Sequence, residues 1–89
     1  MWAFYKTTIQ KARKQYRCDA LEVIASAGYR EEDFDPEDWA IIDSAYNDKG
    51  ISPGTMYERT RGMYDGIWQT WKARLDVVDV CKKYGLLEE

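Results

Sequence analysis

Histidine is absent from the 89 residues, which removes the commonest general base, metal ligand and pH-responsive side chain. No apolar run approaches the roughly 18 residues that a membrane-spanning helix requires. The first nine residues interrupt their hydrophobicity with Lys6, Thr7 and Thr8, unlike a secretory leader. The expectation is a cytoplasmic chain without membrane contact. Only two cysteines occur, Cys18 and Cys81, and their spacing is not that of metal ligands; they read as buried free thiols. Ser26, Ser44 and Ser52 stand in no Gly-x-Ser-x-Gly context, and no Gly-x-Gly-x-x-Gly or Walker sequence is present. Nothing here asks for a cofactor or a metal, and the reading is of a protein without enzymatic activity.

What is present suffices for a core. Hydrophobic residues make up 45% of the chain, with four Trp and seven Tyr, so a single domain over 1–89 is expected. Charge is unevenly placed around a net of −3. Residues 1–18 carry Lys6, Lys11, Arg13, Lys14 and Arg17 and no acid, whereas residues 19–48 carry ten acids against Arg30 alone. The chain is therefore electrically polarised along its length.

Hydrophobic spacing points to an all-α fold. Over residues 3–27, Tyr5, Ile9, Ala12, Tyr16, Ala20, Val23 and Ala27 recur at intervals of three and four. Gly28 is a left-handed stop, with Tyr29 placed to fold back on Ile24. Asp35 as N-cap, Pro36 in the first turn and Asp38 as a capping-box partner open a second helix over 36–46, with Phe34 and Trp39 spaced as a hydrophobic staple. Residues 56–84 place Tyr57, Tyr64, Trp71 and Val78 on one heptad row, and flanking rows widen the apolar face to roughly 160°. The architecture expected is a small three-helix bundle around this long C-terminal helix.

Such a helix would be about 45 Å long, against roughly 31 Å for a compact sphere of this chain length. Either it kinks near Gly62 and Gly66, or it lies beside an equally long first helix, or a partner covers the overhang. The lane Gly62, Gly66, Gln69 and Ala73 could admit a second helix closely, as in a homodimer.

Two surfaces are candidates for function. The acidic run Glu31, Glu32, Asp33, Asp35, Glu37 and Asp38, beside Phe34 and Trp39, could imitate phosphate spacing and dock on a protein partner with a basic groove. A small acidic inhibitor of a nucleic-acid-handling complex, of the anti-restriction or anti-CRISPR kind made by phages, fits that size and charge. As a calcium loop the run fails, because the sixth position is Asp38 and the twelfth is Ser44. The docking reading requires the final third to be helical and the carboxylates of 31–38 to be free of the chain's own lysines and arginines. The alternative is a DNA-associated regulator that contacts nucleic acid through Lys6, Lys11, Arg13, Lys14 and Arg17 on the first helix. Trp2, Phe4 and Tyr5 form a candidate anchor patch for a partner.

Overall fold

A computed structural model of the chain describes residues 2–87. The fold is mixed α and β. Its elements run β1 (Trp2–Lys11), α1 (Asp19–Ser26), a 3-10 turn (Glu31–Asp33), α2 (Pro36–Asn47), β2 (Met56–Tyr64), β3 (Ile67–Arg74) and α3 (Leu75–Lys83). The strands form one antiparallel sheet in the order β1-β2-β3. This overturns the all-α three-helix bundle, since the final third holds strand β3, the end of β2 and only a short helix.

The long C-terminal helix is replaced by a hairpin and a short helix, and the cause is local. Between Tyr64 and Ile67, which pair directly, Asp65 and Gly66 make a two-residue loop. Their φ angles are +51° and +83°, the pair of left-handed conformations that a type I′ turn demands and Asp-Gly supplies. Far from a kink, the chain reverses completely there. Upstream, Ser52-Pro53-Gly54-Thr55 is a turn and not a helix start: Thr55 N donates to Ser52 O at 3.1 Å, and Gly54 at φ +89° takes the third position that in a type II turn favours glycine.

The first helix is also displaced. Trp2, Phe4, Tyr5, Thr7, Thr8 and Ile9 are aromatic or β-branched, types that suit a pleated surface, and they pair with β2 from Trp2↔Tyr64 to Lys11↔Met56. Register slips between Ala3 and Lys6, where Phe4 and Tyr5 together face Gly62 in a bulge, with Phe4 at φ +53°. A Cβ on Gly62 would lie 2.6 Å from Tyr5 Cα, so glycine is what lets the bulge close. The lane of small residues does not exist as a helix surface: Gly62 lies under Tyr5 and Ala73 is in the core.

Helix ends follow their local signals. Tyr29 N donates to Ile24 O and Gly28 N to Ala25 O, which is the Schellman pattern. Asp35 occupies the N-cap position of α2, without a side-chain capping bond, and Pro36 lies in its first turn; Phe34 stacks on Trp39 at 6.2 Å between ring centroids, as a staple does. The capping box does not form. Asp38 turns instead to Lys83 Nζ and Tyr84 Oη, both at 2.8 Å, and the Asp35 N–H donates to Tyr84 Oη at 2.9 Å.

The core lies between the helices and one end of the sheet, joining Ala20 and Ile24 of α1, Ile42 and Ala45 of α2, Ile51, Ala73, and Val77 and Cys81 of α3. Cys18 and Cys81 are buried free thiols. Arg74, at the β3–α3 junction, is buried and binds Asp76 through two nitrogens at 2.8 and 3.1 Å and Asp48 at 3.2 Å. The far end of the sheet extends beyond the helices, and the molecule measures 37 × 28 × 16 Å. Among the described residues no helix is long and apolar enough to cross a membrane.

Candidate functional site

Of the acidic run, three members are engaged within the fold. Asp38 is buried, and the Lys83 hydrogen bond, then that of Tyr84, holds its carboxyl below the usual carboxylate range. Asp35 also lies 3.5 Å from Lys83 Nζ. Asp33 accepts from the Arg30 N–H at 2.8 Å, and Glu31, Glu32 and Glu37 are exposed carboxylates without such a bond. With Asp38 buried and Asp35 beside Lys83, the run is a weaker phosphate mimic than six free charges.

The basic set of the first 18 residues is dispersed, because its backbone is a strand and a loop and not a helix. Lys6 and Lys11 sit on β1, where they fall on opposite faces of the sheet, while Arg13, Lys14 and Arg17 follow in the connection to α1. Arg17 pairs with Glu22.

The sheet brings together a different group. Side chains alternate between faces along a strand, and residues paired across strands share a face. Lys6 pairs with Arg61 and Thr8 with Arg59; Arg61 pairs with Thr70 and Arg59 with Lys72. One face therefore carries Lys6, Arg61, Arg59 and Lys72. Hydrogen bonds agree with this parity, since Arg61 Nη1 donates to Thr70 Oγ1 at 2.9 Å and Gln10 Nε2 to Thr8 Oγ1 at 2.8 Å. Among the described residues, no carboxylate lies within ion-pairing distance of these four cations. Trp68, opposite Met63 on the same face, is 54% exposed.

At the helical end this face opens into a shallow cavity of about 300 Å³ lined by Tyr16, Arg17, Asp19, Arg59, Thr70 and Lys72. Lys72 Nζ lies 3.9 Å from the centroid of the Tyr16 ring, a cation–π contact that holds the ammonium in place, and its charge is felt by the Asp19 carboxylate of the same cavity. Asp19 Oδ2 accepts the Lys72 N–H at 2.9 Å and Cys18 Sγ the Arg74 N–H at 3.4 Å, so the start of α1 covers part of the outer edge of β3. Burial pushes the Asp19 carboxyl upward, against the bond from Lys72.

The arrangement is costly on its own terms. Lys6 against Arg61 and Arg59 against Lys72 are like charges placed directly opposite, which destabilises a sheet by several tenths of a kcal/mol to about 1 kcal/mol per pair. An anion laid across the face would reverse that sign. Arg59 and Arg61 are two residues apart on β2, about 7 Å along the strand, and so offer a ladder of donors to a chain of anions. Chemically the face can bind and orient a polyanion. Among the described residues no cluster of metal-binding side chains is present.

Arg59, Arg61 and Lys72 escape a helical reading because a helix puts Arg59 on the side opposite Arg61 and sets Lys72 three turns, about 16 Å, beyond Arg61. Asp65-Gly66 is the signal that would have placed them together, since a two-residue hairpin fixes which residues pair. No protein-family model matches this chain, and no curated protein or solved structure matches it.

Proposed function

We propose that this chain is a nucleic-acid-binding module that lays a phosphate backbone across the sheet face of Lys6, Arg59, Arg61 and Lys72, with Trp68 as a stacking surface for an unpaired base. The observation that carries the reading is the pair of like-charge cross-strand contacts without carboxylate partners. Four cations on one face, none ion-paired to a carboxylate and two of them, Lys6 and Arg61, exposed, supply the sequence-independent part of such binding, and an exposed indole at the end of the row adds stacking that a base-paired duplex does not offer. Single strands are therefore preferred over duplex.

The net charge of −3 does not oppose this reading, because the charges are segregated by layer. The three strands hold six Lys and Arg and one acid, Glu58, while α2 holds three acids and no base. Glu58 is further occupied by the Trp71 N–H at 2.9 Å, on the opposite face. α2 packs mainly against the other helices, and at physiological salt a charge is felt over only about 8 Å.

Fluorescence anisotropy with labelled single-stranded and duplex oligonucleotides tests the proposal. Binding in the micromolar range is expected at physiological salt, tighter for the single strand. Arg61→Ala should weaken it about tenfold, equivalent to ~1.4 kcal/mol. Trp68→Ala should remove the preference for single strands. Reversing Glu31 and Glu32 to Lys should leave the loss caused by Arg61→Ala uncorrected. Equal affinity of wild type and Arg61→Ala, or binding indifferent to salt, would discard the reading.

A further inference from the structure

The other face of the sheet presents a different chemistry. The rings of Trp2 and Tyr64 meet edge to face at 5.3 Å, and Trp2 and Tyr5 lie 6.4 Å apart. Ile67 pairs with Tyr64, and Ile9 lies on the same face of β1. Tyr5 is 58% exposed, Ile9 and Ile67 63% each, and Phe4 at the bulge 83%. α1 and α3 cover this face on β2 and β3 where it bears Thr60 and Ala73, leaving open its distal end and the outer strand β1 as far as Ile9, which pairs with Glu58.

We infer that a second copy of this chain covers that open end, sheet face against sheet face. Three arguments select this occupant. The first is area: taking about 150–250 Å² for a fully exposed aromatic ring, the six side chains leave roughly 600 Å² of apolar surface per copy, about a tenth of the total 5974 Å². That is the upper end of what a typical monomer leaves open. Two copies would bury roughly 1,200 Å², which reaches the range of specific, stable interfaces.

The second argument is charge. None of these six side chains is ionised at neutral pH, so the patch suits an identical patch, as a two-fold contact requires, and carries no pattern that would select an acidic or basic partner. The third is the edge. β1 bears Lys6 and Lys11 and is bent by the bulge, two devices that discourage strand addition, so copies would meet through the face and not by extending the sheet.

The inference concerns the face opposite the cations and stands or falls apart from nucleic-acid binding. Sedimentation equilibrium without nucleic acid tests it. Wild type should show a concentration-dependent mass approaching twice 10.5 kDa. Ile67→Lys and Ile9→Lys, both at exposed sites, should each sediment as monomers with unchanged circular dichroism. Trp68→Lys, of similar exposure on the same hairpin but on the cationic face, should remain dimeric. A wild-type monomer at all concentrations would overturn the proposal and leave the patch to a different protein. So would dimers that survive Ile67→Lys and Ile9→Lys, or that are lost in Trp68→Lys.

Discussion

Asp38 illustrates how one residue can pass from candidate ligand to structural pin. Its carboxylate ties α2 to the end of α3 through Lys83 and Tyr84, and its titration is displaced downward from 3.8, while the bond to Asp38 displaces Lys83 upward from 10.5. A lowered carboxyl stabilises the fold above its unfolded value and loses that contribution as pH falls through the folded one; a raised amine contributes below its unfolded value and loses it as pH rises. The pair is therefore at full strength from about pH 4 to about pH 10. Thermal melts below pH 4 should show wild type losing stability steeply and Asp38→Asn losing less, from a lower start. The thiols work at the other end of the scale. Burial pushes Cys81 up to about 11, so alkylation of the native protein at pH 8 should be far slower than of the unfolded chain. Stability should also fall between roughly pH 9 and 11, as only the unfolded thiol ionises, and Cys81→Ala should flatten that limb. The residue-level signals that depend on near neighbours, such as Asp35-Pro36, the Phe34 and Trp39 staple and Gly28, were legible in the sequence. The partner that displaced the capping box, Tyr84, lies 46 residues from Asp38 and was not.

The hairpin of β2 and β3 is the element on which the site depends, and Gly62 is its most constrained position. Adding a methyl there sets it 2.5 Å from Tyr5 Cβ and 2.6 Å from Tyr5 Cα, contacts that cannot persist, so Gly62→Ala must push the bulged end of β1 away. The expected result is destabilisation of about 1–3 kcal/mol, with hydrogen exchange accelerated at residues 2–5 more than in the helices. At Gly66 the same substitution meets no neighbour and is opposed only by its positive φ, so it should cost less, about 1 kcal/mol. The long helix expected here is wrong, and the spacing of the aromatic residues is the reason for that expectation. Tyr57, Tyr64 and Trp71 fall on one helical row by sevens. In strands the same odd spacing puts Tyr57 and Tyr64 on opposite faces, and long-stemmed Arg59, Arg61 and Lys72 occupy positions where alternation would lead one to look for small polar residues. Two interior glycines, each costing a helix about 1 kcal/mol, and Asp-Gly between aromatic and β-branched residues were the contrary signals. Pairing Lys6 with Arg61 spans 55 positions of sequence, beyond any local periodicity, and two of the four cations, Lys6 and Lys72, join the site only through that pairing and the hairpin.

At the scale of the whole molecule, the fold largely sorts charge and grease: four cations share one face of the sheet with Trp68, most exposed rings lie on the other, and most acids lie on the helices and their connections. A basic face maintained for nucleic acid should trade stability for binding, whereas one that merely keeps the protein soluble should not. Lys6→Thr separates the two. Lys6 is exposed, has no carboxylate partner among the described residues and opposes Arg61, and threonine is well suited to a strand. Removing the repulsion should raise stability by ~0.2–1 kcal/mol, a gain of about 1–6 °C in Tm for a chain of this size. Four phosphate contacts on a single strand give a slope of about −3 for log K against log salt concentration, and the loss of one should bring it near −2. Melts and salt titrations on the same preparation would then move in opposite directions, with Tm up and affinity and salt sensitivity down. If Lys6→Thr raised Tm yet left the slope unchanged, that cation would not touch phosphate. If Tm fell, the cross-strand repulsion from which the function is read would not exist.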